Sequence, residues 1–179
     1  MPAALPARQS NEDGRRRVLY ELCCEDNYSL HRSNPYKDTC EVIRITKRDD
    51  LLDPPTTKYI KNRTKRDDVF CFWCSSPCTG GTGWNRGINV SRGAEAASKI
   101  RGLWQLFHTL WKVFTELAGG AIKWGMPAHV EWPHSCSYWS DKRVIRFARR
   151  YGGITSRFHG CAYGMVASSG ALSPCPQAY

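Results

Sequence analysis

The sequence predicts an α/β domain built on a parallel sheet, and three observations carry that expectation. Two short, mostly apolar runs, Val18 to Cys23 and Val69 to Cys74, are too short for buried helices and the right length for buried strands. The segment from Ser98 to Leu117 places Ile100, Leu103, Trp104, Phe107, Leu110, Trp111, Phe114 and Leu117 at three- and four-residue steps, the spacing of one helix face. Strands that alternate with helices call for crossover connections, and crossovers join parallel strands.

The elements follow in order. The first 16 residues mix Pro, Ala, Gln and Asn with an Arg run and no apolar period, which predicts a flexible basic tail ahead of a domain over 17–165. Val18 to Cys23 reads as the first strand, with Glu25-Asp26-Asn27 as the loop behind it. Cys40 to Thr46, rich in β-branched residues and running into Asp49-Asp50, reads as a second strand. Asp53-Pro54-Pro55 interrupts the pattern and starts a linker or helical turn, after which the basic stretch Lys58 to Lys65 is expected to be exposed. Val69 to Cys74, the most apolar run, is the expected central strand.

The helix over Ser98 to Leu117 is expected to stop at Gly119-Gly120. Ala128 to Trp132 reads as a strand, Asp141 to Tyr151 as a basic helix ended by Gly152-Gly153, and Thr155 to Gly160 as a last short strand. Residues 166–179 are small and Pro-containing, and read as a C-terminal tail.

Composition narrows the classes of function. At 179 residues the chain has the length of one domain, and its 41% apolar content with seven Trp, eight Tyr and six Phe is that of a folding chain. Met1 to Gln9 is broken by Pro2, Pro6 and Arg8, so it does not read as a secretion signal. Leu103 to Leu117 is interrupted by Gln105, His108, Lys112 and Glu116 and falls short of a membrane span. The expectation is a nuclear or cytoplasmic protein, whose nine cysteines then read as thiols before disulfides. A net charge of +10 favours a polyanionic partner, because basic side chains that neutralise phosphates release condensed counterions. A merely soluble basic surface is the plainer alternative.

The chemistry-bearing residues gather where strands are expected to end, which in open parallel sheets is where ligands bind. Ser75-Ser76-Pro77-Cys78-Thr79-Gly80-Gly81 follows the expected central strand. Pro77 would fix the exit direction, and the glycines would let a ligand approach the backbone. Cys78 is the candidate nucleophile; an inert buried thiol and a metal ligand stand as its alternatives. In the metal reading, Cys71, Cys74 and Cys78 join His134, Cys136, His159 and Cys161 around a structural zinc, although residues three apart on a strand face opposite sides. Glu131, in an apolar stretch, reads as a functional carboxylate or as one held by an arginine.

The Pro77-Cys78 dipeptide at a strand end resembles motif IV of the cytosine-5 DNA methyltransferases, in which the thiolate attacks carbon 6 of the ring and activates carbon 5. Val130-Glu131-Trp132-Pro133 resembles that family's Glu-Asn-Val motif, with Trp132 where the asparagine stands. Glu21-Leu22-Cys23-Cys24-Glu25-Asp26 resembles its Asp-Leu-Phe-Cys-Gly start, without the glycines. Phe158 to Gly164 is similar to a late strand and turn of the family, with Arg157 as the nearest basic residue. The matched pieces lie in family order.

The resemblance implies an abridged Rossmann-like class I methyltransferase sheet with flanking helices, and S-adenosylmethionine as cofactor. It implies catalytic roles for Cys78, Glu131 and Arg157, and cofactor contacts from Glu21, Leu22, Cys23 and Pro77, with Asp49 or Asp50 at the adenosine end. Ser76, Thr79, Gly80, Gly81 and Arg86 would line the substrate site, with Arg86 or Arg157 stabilising the Cys78 thiolate, while Trp84 and the basic surface would hold the displaced strand. The partner implied is nucleic acid, DNA first, with a further protein or domain supplying target recognition. A noncatalytic nucleic-acid-binding module on the same fold, or a zinc-stabilised one, is the alternative.

Overall fold

The computed structural model describes residues 17–24, 40–64, 68–123 and 125–157, with the backbone alone at 68–70. In chain order the regular elements are β1 (Arg17–Cys24), β2 (Cys40–Thr46), α1 (Pro54–Arg63), β3 (Asp68–Cys74), α2 (Ala94–Lys123), β4 (Ala128–Val130) and α3 (Lys142–Tyr151). The described residues up to Ser140 form one compact unit, and those from Asp141 onward a second. The sheet, α1 and α2 belong to the first unit and α3 to the second.

The four strands form one all-parallel sheet in the order β2-β1-β3-β4. β2 lies on one side of β1 and β3 on the other, so the strand order reverses between β1 and β3. That reversal is the topological switch point, where the loops leaving the carboxyl ends of the strands diverge and open a crevice. Leu22 is in register with Cys74, and Cys74 with Val130, so the carboxyl ends of β1, β3 and β4 lie side by side. The fold is α/β, and its strand order is compatible with a Rossmann-like sheet; along the chain between β1 and β3 the described residues hold one strand, β2.

Burial accounts for the strand assignments. In β1, Val18, Tyr20 and Leu22 are buried on one face and Glu21 on the other; in β3, Cys71 is buried on one face and Phe72 and Cys74 on the other, as a strand covered on both faces requires. Tyr20 and Phe72 stack across the β1/β3 pair at 5.2 Å. In α1, Pro54 opens the first turn, where its missing N–H costs nothing, and Ile60 is the buried anchor. Lys58, Tyr59 and Lys61 of the basic stretch are exposed, as anticipated. Lys61 reaches Glu116 of α2 at 3.1 Å, an exposed pair worth little.

Two expectations about element ends are corrected. The long helix runs on through Gly119-Gly120 to Lys123. Gly119 is buried beside Leu117, Ala118 and Ala121, so packing holds the helical conformation through a pair of weak helix formers. The stop comes at Gly125, with φ +80: its N–H donates to Ile122 O at 2.9 Å and that of Met126 to Ala121 O at 3.2 Å, the paired bonds of a Schellman cap. β4 ends at Val130 and not at Trp132, because the chain turns there to bury the indole. Of the last expected strand, residues 155–157 form no regular element and 158–160 lie outside the described residues. The two tails and the segment Phe158 to Gly164 also lie outside them.

The second unit's α3 follows its sequence signals. Asp141 caps it by accepting from the Arg143 amide at 2.8 Å, and Gly152 ends it in the left-handed conformation at φ +64. No helix among the described residues is long and apolar enough to cross a membrane.

Candidate functional site

Three strand ends build the site. The Ser75 N–H donates to Leu22 O at 3.1 Å, tying the exit of β3 to the end of β1. The Glu131 N–H donates to Cys74 O at 3.0 Å, tying the exit of β4 to the end of β3. These bonds bring Leu22, Cys23, Cys74, Ser75, Ser76 and Glu131 to the switch point, with Glu131 half-buried. The segment 77–81 follows directly from the end of β3, with Pro77 exposed and Gly80 and Gly81 buried.

Trp132 fixes that segment. Its indole N–H is shared between Ser76 O at 3.1 Å and Ser76 Oγ at 3.0 Å, with both residues buried. The ring sits among Phe107, Trp111, Tyr138 and Trp139, with centroids 4.8–5.6 Å away and the planes tilted or edge-on. Phe107 and Tyr138 stack face to face at 3.7 Å, and Trp104 meets Tyr138 edge-on at 4.8 Å. An aromatic cluster therefore joins α2, the exit of β4 and the 3₁₀ turn Ser137–Ser140, and it holds the residue just ahead of Pro77-Cys78 by two hydrogen bonds.

Cys78 is half-buried, with φ −89 and ψ 0, the sparsely populated bridge region in which many active-site residues sit. Its carbonyl accepts from the Gly81 N–H at 2.8 Å, which opens the 3₁₀ turn Thr79–Gly81. Cys136 and Tyr138 are its electrostatic neighbours: a charge on Cys78 would raise the titration of both. Burial is the main cause of the upward shift of each, and it pushes the Tyr138 phenol up to about 12, against a hydrogen bond from the Gly80 amide.

Gly80 and Gly81 are buried, and the close approach they permit is that of protein. A Cβ on Gly80 would stand 2.6 Å from Tyr138 Oη and 2.9 Å from Leu103 Cβ; one on Gly81 would stand 2.6 Å from Cys136 Sγ. Pro77 and Thr79 are exposed. Trp84 is exposed too, at the head of a single π-helical turn, Asn85–Asn89, that carries the exposed Arg86. Such turns recur at functional sites. Arg157 is exposed in the second unit.

Of the residues expected at the cofactor, Glu21 and Leu22 are wholly buried. Glu21 Oε2 accepts from Arg44 Nε at 3.2 Å, while Oε1 finds no partner among the described residues. Cys23 is the extra residue of a bulge in the β1/β2 pairing and adopts φ +60, the left-handed conformation that favours glycine. At the end of β2 the exposed Asp49 accepts from the Thr46 amide at 2.8 Å and hydroxyl at 3.1 Å through Oδ2, and Asp50 from the Leu52 amide at 2.9 Å through Oδ1. Asp50, like Asp49, is exposed.

The metal alternative gains no cluster: no group of three or more His, Cys, Asp or Glu among the described residues is placed to hold a metal ion. His159 and Cys161 lie outside them. The structural importance of Trp132, Tyr138 and Cys136 was not read from the sequence. The available signal was the aromatic density from Trp132 to Trp139, facing a helix with its own aromatic stripe.

Compared with protein-family models, curated proteins and solved structures, the chain matches none. Fold and site together define an α/β domain with a four-stranded parallel sheet and flanking helices, its thiols and a carboxylate gathered at the switch point.

Proposed function

We propose that the chain is an S-adenosylmethionine-dependent methyltransferase acting on cytosine in DNA, with Cys78 as nucleophile. The observation that carries the reading is the placement of the Pro77-Cys78 segment and Glu131 at the carboxyl ends of neighbouring strands, linked by the Glu131 N–H to Cys74 O bond of 3.0 Å. The order of pieces along the chain and the net charge of +10 point the same way.

Asp49 or Asp50 would accept hydrogen bonds from the ribose hydroxyls, and the backbone turn at Cys23 would face the methionine end. The cofactor, when bound, supplies an electrophilic methyl group. Cys78 Sγ, as the thiolate, adds to carbon 6 of the cytosine ring and shifts electron density to carbon 5, while Glu131 grips the ring at its nitrogen. After methylation, loss of the carbon-5 proton returns the electron pair that expels the Cys78 thiolate. Trp132 positions the nucleophile's segment through Ser76. The exposed Trp84 and Arg86 would stack on and neutralise the strand from which the base is extruded.

The test is calorimetric titration with S-adenosylmethionine, followed by transfer of a labelled methyl group to cytosine-containing oligonucleotides. Saturable one-to-one binding that persists in Cys78→Ala, with transfer abolished in that variant, is the expected result. Absence of binding at millimolar cofactor sinks the enzyme reading and leaves the noncatalytic nucleic-acid-binding module.

A further inference from the structure

We propose that the outward face of α3 is a docking surface for the phosphate backbone of duplex DNA. The inference rests on the nucleic-acid reading above for its partner and on none of the catalytic residues.

Helical period gathers the charge on one side. α3 is ten residues long, and five of them are cations. With a turn of about 100° per residue, Lys142, Arg143, Arg146, Arg149 and Arg150 fall within an arc of roughly 120°. All five are exposed. The remaining arc holds the buried Val144 and the half-buried Ile145, Phe147, Ala148 and Tyr151.

The helix gains little from this stripe by itself. Steps of three and four residues join Lys142 to Arg146, Arg146 to Arg149 and Arg146 to Arg150, so like charges meet where opposite ones would stabilise. Arg149 and Arg150 suit the negative end of the helix dipole. Lys142 and Arg143 stand in the first turn, where the dipole disfavours cations and no acidic residue offsets them. Arg143 reaches Asp141 at 3.5 Å, but among the described residues Lys142, Arg146, Arg149 and Arg150 have no carboxylate partner. Arg150 lies over the Tyr151 ring at 5.5 Å instead. Repelling charges that the protein leaves unanswered are answered by a polyanion outside it.

The chemistry of the two arcs selects among polyanions. The apolar arc is taken up in the fold, with Val144 only 5% exposed, so it is not offered to a lipid boundary as an interfacial helix offers its own. The charged arc carries no aromatic side chain on which single-stranded bases would stack, and no Asn or Gln to read base edges. Four of its five cations are arginines, whose planar fork matches phosphate oxygens two at a time. From Lys142 to Arg150 the helix rises about 12 Å, a length over which a duplex presents about seven phosphate charges. Docking of this kind is indifferent to sequence and weakens as salt rises.

The test titrates the full chain into short labelled DNA duplexes of unrelated sequence and follows fluorescence anisotropy over a series of salt concentrations. Arg146→Gln/Arg149→Gln is compared with Lys58→Gln/Lys99→Gln, which removes the same charge from exposed positions of the first unit. At about 0.1 M salt the α3 variant is expected to bind at least about tenfold more weakly, with the slope of log affinity against log salt reduced by about 2, and the control to change by less than about threefold. Circular dichroism melts should show the α3 variant folded with Tm unchanged or raised, because repulsion is relieved. Equal weakening in the two variants overturns the proposal, since net charge alone would then account for binding. So does tighter binding of the unaltered chain to the single strand, or to vesicles of equimolar phosphatidylserine and phosphatidylcholine. Methyl transfer is read separately: its absence beside α3-dependent duplex binding fails the enzyme reading alone, and transfer beside unaltered binding of the α3 variant fails this one alone.

Discussion

Replacing Trp132 by Phe tests whether the aromatic cluster holds the Cys78 segment. The substitution keeps a ring in the cluster but removes the indole N–H shared by Ser76 O and Oγ at 3.1 and 3.0 Å. Ser76 and Trp132 are buried, so water does not replace the lost donor freely, and an unmet buried acceptor costs about 1–3 kcal/mol. Three fewer ring atoms against Phe107, Trp111 and Tyr138 add roughly 1–2 kcal/mol of lost transfer and packing energy. A loss of about 2–5 kcal/mol is therefore expected, a large share of a typical domain's stability. Urea denaturation followed by tryptophan fluorescence and circular dichroism measures it. Ser76→Ala should cost less, since the carbonyl partner survives, and the double variant should fall short of the sum by about 0.5–1.5 kcal/mol, the coupling of a shared hydrogen bond. A Trp132→Phe loss below about 0.5 kcal/mol, or strict additivity with Ser76→Ala, would refute the anchoring argument.

Three further outcomes follow from the same geometry. Gly80→Ala places a methyl 2.6 Å from Tyr138 Oη and 2.9 Å from Leu103 Cβ, and should destabilise by about 1–3 kcal/mol, with part recovered by Tyr138→Phe in thermal melts. Glu21→Ala leaves the Arg44 guanidinium, 18% exposed, without its carboxylate and should cost about 2–4 kcal/mol in urea denaturation, whereas an equivalent loss is not expected from Glu116→Ala at the exposed pair with Lys61. Tyr138 titrates near 12 in the folded protein against about 10 when unfolded, so the folded state binds the extra proton between these values and stability falls as pH rises through that window. An alkaline ultraviolet titration should show a late tyrosinate step that Tyr138→Phe removes.

Much of the fold was legible because local pattern and environment agree. The apolar run Val69 to Cys74 became the central strand β3, and Cys40 to Thr46 became β2 at the same bounds. Asp141 and Gly152 capped α3 because each supplies what a helix end lacks, an acceptor at the start and a left-handed residue at the finish. The placement of Pro77-Cys78 just past the end of β3 was equally readable, whereas Glu131, expected inside a strand reaching Trp132, stands just beyond β4.

What the sequence could not determine was which side chains those ends would spend on the protein itself. Gly119-Gly120 stayed helical because burial outweighs a propensity cost of about 1 kcal/mol per glycine. Gly80 and Gly81, readable as room for a ligand, give their room to Tyr138, Leu103 and Cys136, whose proximity arises from the return of the chain after β4. Trp132, in sequence a departure from a motif, becomes the donor that holds Ser76 from 56 positions away. The left-handed bulge at Cys23 depends on the register of β1 against β2. Period, caps and composition are local and survive in the sequence; hydrogen-bond partners and steric neighbours are set by chain return, which only the folded structure fixes.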